Sequence, residues 1–244
     1  MTKDTQMNSI PECPFEGWNT VCRADDLFGD AHSELFYIAD DSDTHTAVMI
    51  VRYFNAESLD KPESDPCTRQ IRIRKLAFRY YREAVILKRN AYPGLVEYDT
   101  DFRQDDESCT LYIRMDVPFK EIPILNEKEI CEQLAGLIRC VEQIYHKRKK
   151  EGAITPANLI PVKDGLRYSP FPLSCISFDP DMHSDDPVRS ICRSMMWYYP
   201  DSHILNALNK RIKENDLVSV EEIPAVLSSG FQYGENDLCD LSKL

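Results

Sequence analysis

The chain has 244 residues with 43% apolar and 29% charged side chains, a balance ordinary for a globular protein and a length that suits one large domain or two small lobes. No run approaches the roughly 18 apolar residues of a membrane span. A net charge of −12 repels nucleic acid and anionic membranes at long range, so neither is an expected partner.

Residues 1–17 carry Pro11, Pro14 and Gly17 among polar neighbours and are expected to form a flexible lead-in, with the first ordered residue near Trp18. They contain no secretory apolar stretch, which makes the cytoplasm the expected compartment. SELFYIADD and HTAVMIVRYF cluster aromatic and β-branched residues between Asp- and Ser-containing turns, the pattern of a hairpin around Asp40 to Asp43. The segment from Asn55 to Cys67 reads as a loop, and a long helix is expected to open at Thr68 or in the preceding turn and to run to about Asn90. Ile73, Leu76, Tyr80 and Leu87 recur at helical spacing, and Glu83 falls on that apolar stripe. Between Arg69 and Arg89 stand eight cations against the single acid Glu83, a basic segment inside an acidic protein.

GLVEYDTDF and CTLYIRMDV flank the acidic turn from Arg103 to Ser108 and complete a plan of five strands and one helix. From Asn126 the spacing of Ile130, Leu134, Leu137, Val141 and Ile144 predicts a second long helix, opened by Asn126 and Glu129 as a capping-box variant. A short strand pair is expected around Lys163, Asp164 and Gly165. Helices follow at Val188 to Tyr199, Ile204 to Asn215 and Val220 to Leu227. Sheet with one helix, then helices, is an α+β order with segregated elements. The nine cysteines are scattered, without a CxxC pair or zinc spacing, and read as free buried thiols.

YREAVILKRNAYPGLVEYDTDF resembles the αC helix and following strand of protein kinases, with Glu83, Leu87 and the Tyr92-Pro93-Gly94-Leu95-Val96 turn at the family's places. LYIRMDV resembles the strand leading to the kinase hinge, which puts Met115 at the gatekeeper position and Asp116 at the hinge. TPANLIPVKDGLRY resembles the KPANIL segment and its following hairpin, including Pro156, Ala157, Asn158 and Gly165. The resemblance implies a two-lobed protein-kinase-like fold: a small antiparallel N-lobe sheet with one long helix over 18–116, a mainly helical and shortened C-lobe over 117–230, and a tail over 231–244.

Phosphoryl transfer in that family rests on a lysine for the phosphates, an aspartate facing the substrate hydroxyl and an aspartate on magnesium. Aligned with these are Arg52, Ala153 and Phe171. Arginine keeps the charge but is not interchangeable with lysine at a phosphate site, and alanine cannot move a proton. Asn158 is the one metal-ligand candidate retained in place. The region of the glycine-rich loop holds a single glycine, Gly29, beside Asp25, Asp26 and Asp30, which repel phosphates. Only 33 residues separate Ala153 from Asp186, where the resemblance starts αF, too few for the family's activation segment. ATP and magnesium binding are therefore expected to be weak or absent. Gly29, Met115 and Asn158 are what would remain of a nucleotide or metal site.

Arg52 and Glu83 are candidates for an ion pair between strand and helix, or for a snorkelling arginine and a helix-edge glutamate. Asn158 is read as a turn cap ahead of a ligand. The acidic run holding Asp179, Asp181, His183, Asp185 and Asp186 reads as a solvated loop before a divalent-metal site. Trp197, Tyr198 and Tyr199 read as core residues ahead of Pro200. The face of Arg72, Lys75, Arg79 and Arg82 places like charges at helical spacing, which costs stability unless an acidic or phosphorylated protein partner offsets it. The expected function is that of a catalytically inactive pseudokinase acting by protein–protein interaction or allosteric control. The alternatives are a divergent kinase or nucleotidyltransferase with a relocated acid such as Asp179, and a small interaction protein unrelated to kinases.

Overall fold

β-branched and aromatic residues between Asp-rich turns do form a sheet. In the computed structural model residues 10–213 are described, apart from 26, 28–32, 60, 149–153, 172 and 174–186. The chain divides into two units, Met1–Arg89 with Glu97–Val117, and Asn90–Val96 with Pro118–Leu244.

The first unit holds β1 (Trp18–Arg23), β2 (Ser33–Asp40), β3 (Thr46–Phe54), β4 (Tyr98–Gln104) and β5 (Cys109–Asp116) in the order β1-β2-β3-β5-β4. Every neighbouring pair is antiparallel. The β2–β3 turn is held by Asp40, whose Oδ1 accepts from the backbone N–H of Thr44 at 2.8 Å and of His45 at 3.1 Å. Those bonds hold the Asp40 carboxyl far below the usual carboxylate range, the one from the His45 N–H contributing most.

Val48 and Met49 point to opposite faces of β3, yet both are 0% exposed, so both faces of the sheet are covered. On one face Phe36, Ile38, Ala47, Met49, Val51 and Tyr112 form a cluster against which Cys13, Phe15 and Trp18 pack. Within the segment expected as a flexible lead-in, the aromatic ring of Phe15 and the thiol of Cys13 cover apolar surface that would otherwise face water.

The other face carries α1 (Pro66–Asn90). The helix starts in the turn before Thr68, because Pro66 suits the first helical position and Asp65 caps it, Oδ2 accepting from the Thr68 N–H at 2.7 Å. The buried residues are Ile73, Ala77, Ala84 and Leu87. Leu76 and Tyr80 are only half-buried, so the buried stripe centres on two alanines whose small side chains let the helix approach the sheet. Tyr98 Oη, buried, donates to the Ala84 carbonyl at 2.7 Å. Asp99 receives Lys88 from α1 on one oxygen and Arg114 from β5 on the other.

The second unit contains α2 (Glu127–Arg148), β6 (Leu159–Val162), β7 (Gly165–Tyr168), α3 (Pro187–Tyr198) and α4 (His203–Lys213). The capping box predicted for α2 is reciprocal: Asn126 N–H donates to Glu129 Oε2 at 2.8 Å and Glu129 N–H to Asn126 Oδ1 at 3.0 Å. GLVEYDTDF is not one strand. Residues 94–96 pair with β7 in the second unit, Val96 N–H donating to the Tyr168 carbonyl and Tyr168 N–H to the Gly94 carbonyl, both at 2.8 Å. Gly94 has φ +86°, and a Cβ on it would meet Cys140 Cβ at 3.5 Å and the Gly136 carbonyl at 3.6 Å, so the turn lies close on α2.

The predicted helix at Val220 to Leu227 and the tail at 231–244 fall outside the described residues. Seven described cysteines are free. Burial pushes the thiol of Cys131 up to about 11 and those of Cys140 and Cys192 up to about 12, so all three stay protonated and inert.

Candidate functional site

Arg52 lies near the end of β3, opposite Leu111 of β5 and Ser33 of β2. It is half-buried on the α1 face, and its guanidinium carbon stands 4.4 Å from the ring centroid of Tyr80 and 5.6 Å from that of Phe54. Phe54 and Tyr80 in turn meet at 5.3 Å between centroids. A cation held against two rings at partial burial is worth about 0.5–2 kcal/mol. Sequence reading took Tyr80 only as an apolar stripe residue, and no periodicity would have named it as a cation's seat. Glu83 lies one helical turn beyond Tyr80 and is half-buried. Met115 is buried in β5, opposite Val48 and Tyr98.

In the second unit Asn158 closes the turn before β6. Its Oδ1 accepts from the Thr155 N–H at 3.1 Å and from the Thr155 hydroxyl at 3.2 Å, while Nδ2 donates to the Ser169 carbonyl at 3.0 Å. The Ser169 N–H donates back to the Asn158 carbonyl at 2.7 Å. Ser169 Oγ then donates to the Phe171 carbonyl at 2.7 Å and accepts from the Phe171 N–H at 3.0 Å. Tyr198 of α3 supports this loop from below: its hydroxyl lies 2.9 Å from the Pro156 carbonyl and 2.8 Å from that of Leu159, one proton shared between two acceptors. Thr155, Ser169 and Tyr198 were not legible as a set, since their partners are backbone atoms that carry no sequence signature. Tyr198 and Tyr199 are buried, as expected of core residues, and burial pushes the Tyr199 hydroxyl up to about 12.

A five-stranded antiparallel sheet with a long helix between its third and fourth strands in chain order, followed by a helix, a two-strand hairpin and two more helices, is the element order that the resemblance implies. The order and the antiparallel sheet are those of a mixed α+β fold, as expected of a protein-kinase-like chain. Similar solved structures include the PknI kinase domain of Mycobacterium tuberculosis, at 13% identity and TM-score 0.46, covering 89% of this chain and 98% of that one. A double mutant of that domain gives 0.46 at 13% identity over 88% and 96%. The kinase PK-1 of Cydia pomonella granulovirus gives 0.40 at 15% identity over 62% of this chain and 52% of that one. No family model matches the chain, and no curated protein does.

Within this fold Gly29, Ala153 and the acidic run from Asp179 to Asp186 lie outside the described residues. Among the described residues no group of three or more His, Cys, Asp or Glu side chains is placed to hold a metal ion, and no helix is long and apolar enough to cross a membrane.

The cationic face of α1 is exposed at Arg72, Lys75, Arg79 and Arg82. At ~100° per residue the four share an arc of roughly 80°. Arg72 pairs with Glu63 at 3.2 Å; among the described residues the other three have no acidic partner. Ile71 and Phe78 share the outward side of α1 and are more than half exposed, so the face is amphipathic in chemistry as well as charged.

Proposed function

We propose that the protein is a pseudokinase: a kinase-like scaffold that acts by binding a protein partner through the basic face of α1, without transferring phosphate. The observation that carries the reading is the engagement of Asn158. Its carboxamide oxygen, the atom a magnesium ion would need, accepts two hydrogen bonds from Thr155. Phe171 stands where the family has its second magnesium ligand, and a benzyl group offers no oxygen. These residues do not fit a magnesium ion. Arg52, seated on Tyr80, supports the same reading, since a forked guanidinium held by rings is a strut between strand and helix before it is a phosphate clamp. We further propose that it pairs with Glu83. ATP and magnesium affinity is weak or absent in this account.

Charge supports the binding half. Arg72, Lys75, Arg79 and Arg82 repel one another at three- and four-residue spacing, a cost that an anionic partner removes. The test is anisotropy of a labelled acidic peptide of Asp and Glu against the full chain at low salt. Binding that weakens as salt rises and is lost in an Arg72→Glu, Arg79→Glu double variant supports the site. Equal binding by the double variant refutes it.

A further inference from the structure

The basic face is not uniform. Ser58, Leu59, Arg72, Lys75, Leu76 and Arg79 line an open groove of about 300 Å³ between the turn after β3 and the first half of α1. One wall is a short 3-10 turn, Ala56–Ser58, fixed by Asn55, whose Oδ1 accepts from the Glu57 N–H at 3.0 Å and whose own N–H donates to Ser58 Oγ at 3.1 Å. Ser58 Oγ also lies 3.3 Å from the Tyr53 carbonyl, so its hydroxyl is committed inward and the groove's polar donors are the three cations. Leu59 and Leu76 make part of the lining apolar.

Arg72 and Arg79 are seven residues apart, about 10 Å along the helix, with Lys75 between them. Three cations spread over two turns are matched best by an anion that offers several acceptor oxygens and more than one negative charge. A carboxylate offers two oxygens and a single charge, whereas a phosphate monoester presents three oxygens and a charge near −2, the better match to three cations. Arg72 is already partly neutralised by Glu63 at 3.2 Å, which leaves Lys75 and Arg79 as the cations that a dianion would balance. Leu59 and Leu76 add an apolar surface directly beside them.

We infer that this groove receives a phosphorylated residue of a partner polypeptide, with an apolar residue next to it on Leu59 and Leu76. The inference rests on the basic-face reading above and narrows it to a position and a chemistry. A net charge of −12 disfavours nucleic acid as the source of the phosphate and favours a short segment that meets only the local cationic field.

The experiment uses the full chain and three labelled peptides, Gly-Leu-Ser-Gly-Gly with phosphoserine, with serine and with aspartate in place of the serine, followed by anisotropy at low salt. The phosphopeptide is expected to bind and the serine peptide not. Lys75→Glu and Arg79→Glu should each weaken phosphopeptide binding by about tenfold or more, while Arg82→Glu, on the same basic face but not lining the groove, should weaken it clearly less than either. Thermal melts show that each variant is folded. Aspartate and phosphoserine peptides binding equally, with Arg82→Glu as damaging as Lys75→Glu, would overturn the groove and leave the basic-face reading standing. Displacement by inorganic phosphate at concentrations equal to the peptide would overturn the commitment to a polypeptide. No binding of any anionic peptide, including the Asp/Glu peptide, would overturn both.

Discussion

Asn158 and Thr155 are joined twice, the Oδ1 of the first accepting both the N–H and the hydroxyl of the second, at 3.1 and 3.2 Å. With Nδ2 on the Ser169 carbonyl, the side chain staples two backbone segments of the second unit. Asn158→Ala strands the Thr155 N–H and the Ser169 carbonyl and should cost about 1–3 kcal/mol in urea unfolding. Asn158→Asp should be destabilising too, because it sets a carboxylate against the Ser169 carbonyl. A metal-ligand role predicts that aspartate is tolerated; an Asn158→Asp protein as stable as wild type would count against the staple.

Arg52 is a strut if its energy lies with Tyr80. A double-mutant cycle of Arg52→Leu and Tyr80→Leu should give a coupling of about 0.5–2 kcal/mol. The cycle with Glu83→Ala tests the proposed ion pair separately: coupling of about 1 kcal/mol or more supports it, and none removes it. Arg52→Lys should not restore full stability, since an ammonium cannot spread over two rings as a guanidinium does.

Asp99 makes the first unit sensitive to acid. Its carboxyl is held below the usual range, first by the hydrogen bond from Lys88, then by that from Arg114 and by the charges of both, against a burial penalty. A folded-state value lower than the unfolded one adds stability that is present above the ordinary carboxylate range and is lost as pH falls through the folded value. Melting temperature should therefore drop less between pH 7 and pH 3 in Asp99→Asn than in wild type. Parallel pH profiles for the two proteins would remove Asp99 from the account.

Glu127 begins α2 and serves α4. Its carboxylate accepts from Ser202 Oγ at 2.8 Å, His203 N–H at 2.8 Å and Ile204 N–H at 3.2 Å, an anion at a helix N-terminus. Glu127→Ala should cost about 0.5–2 kcal/mol, the usual range for losing a cap. Hydrogen exchange should show the loss concentrated in the first turn of α4; uniform loss over the second unit would argue for general destabilisation instead.

The binding face proposed on α1 sets like charges side by side, at some expense to stability. Arg79→Glu and Arg82→Glu relieve like-charge pairs and should leave stability unchanged or raised within about 0.5 kcal/mol, while weakening anionic peptide binding. Destabilisation beyond that by either change would mean that these side chains pack instead of waiting for a partner.

Sheet, long helix and capping box were legible because each rests on local pattern: alternation in β2, helical spacing in α2, Asn126 three residues before Glu129. β1 was counted in the five-strand plan but not located, since four of its six residues are exposed and Trp18 and Thr20 are only intermediate in burial, which leaves no buried alternation to read. The apolar stripe of α1 was read from Leu76 and missed Ala77 and Ala84, because alanine carries no strong hydrophobic signal although it lets the helix sit close. The break in GLVEYDTDF was hidden because Gly94 turns onto α2, a contact made 42 residues away by Gly136. The groove was invisible for a similar reason. Arg72, Lys75 and Arg79 announce a charged face, but only the folded turn at Ser58 and Leu59 makes part of that face concave.

The most direct measurement is phosphate transfer itself: the full chain incubated with ATP, magnesium and manganese, alone and with general protein kinase substrates, followed by intact mass spectrometry of every polypeptide present. The account predicts no phosphate on any of them, with the wild type and Asn158→Ala indistinguishable. Incorporation by the wild type that Asn158→Ala abolishes while remaining folded would contradict it.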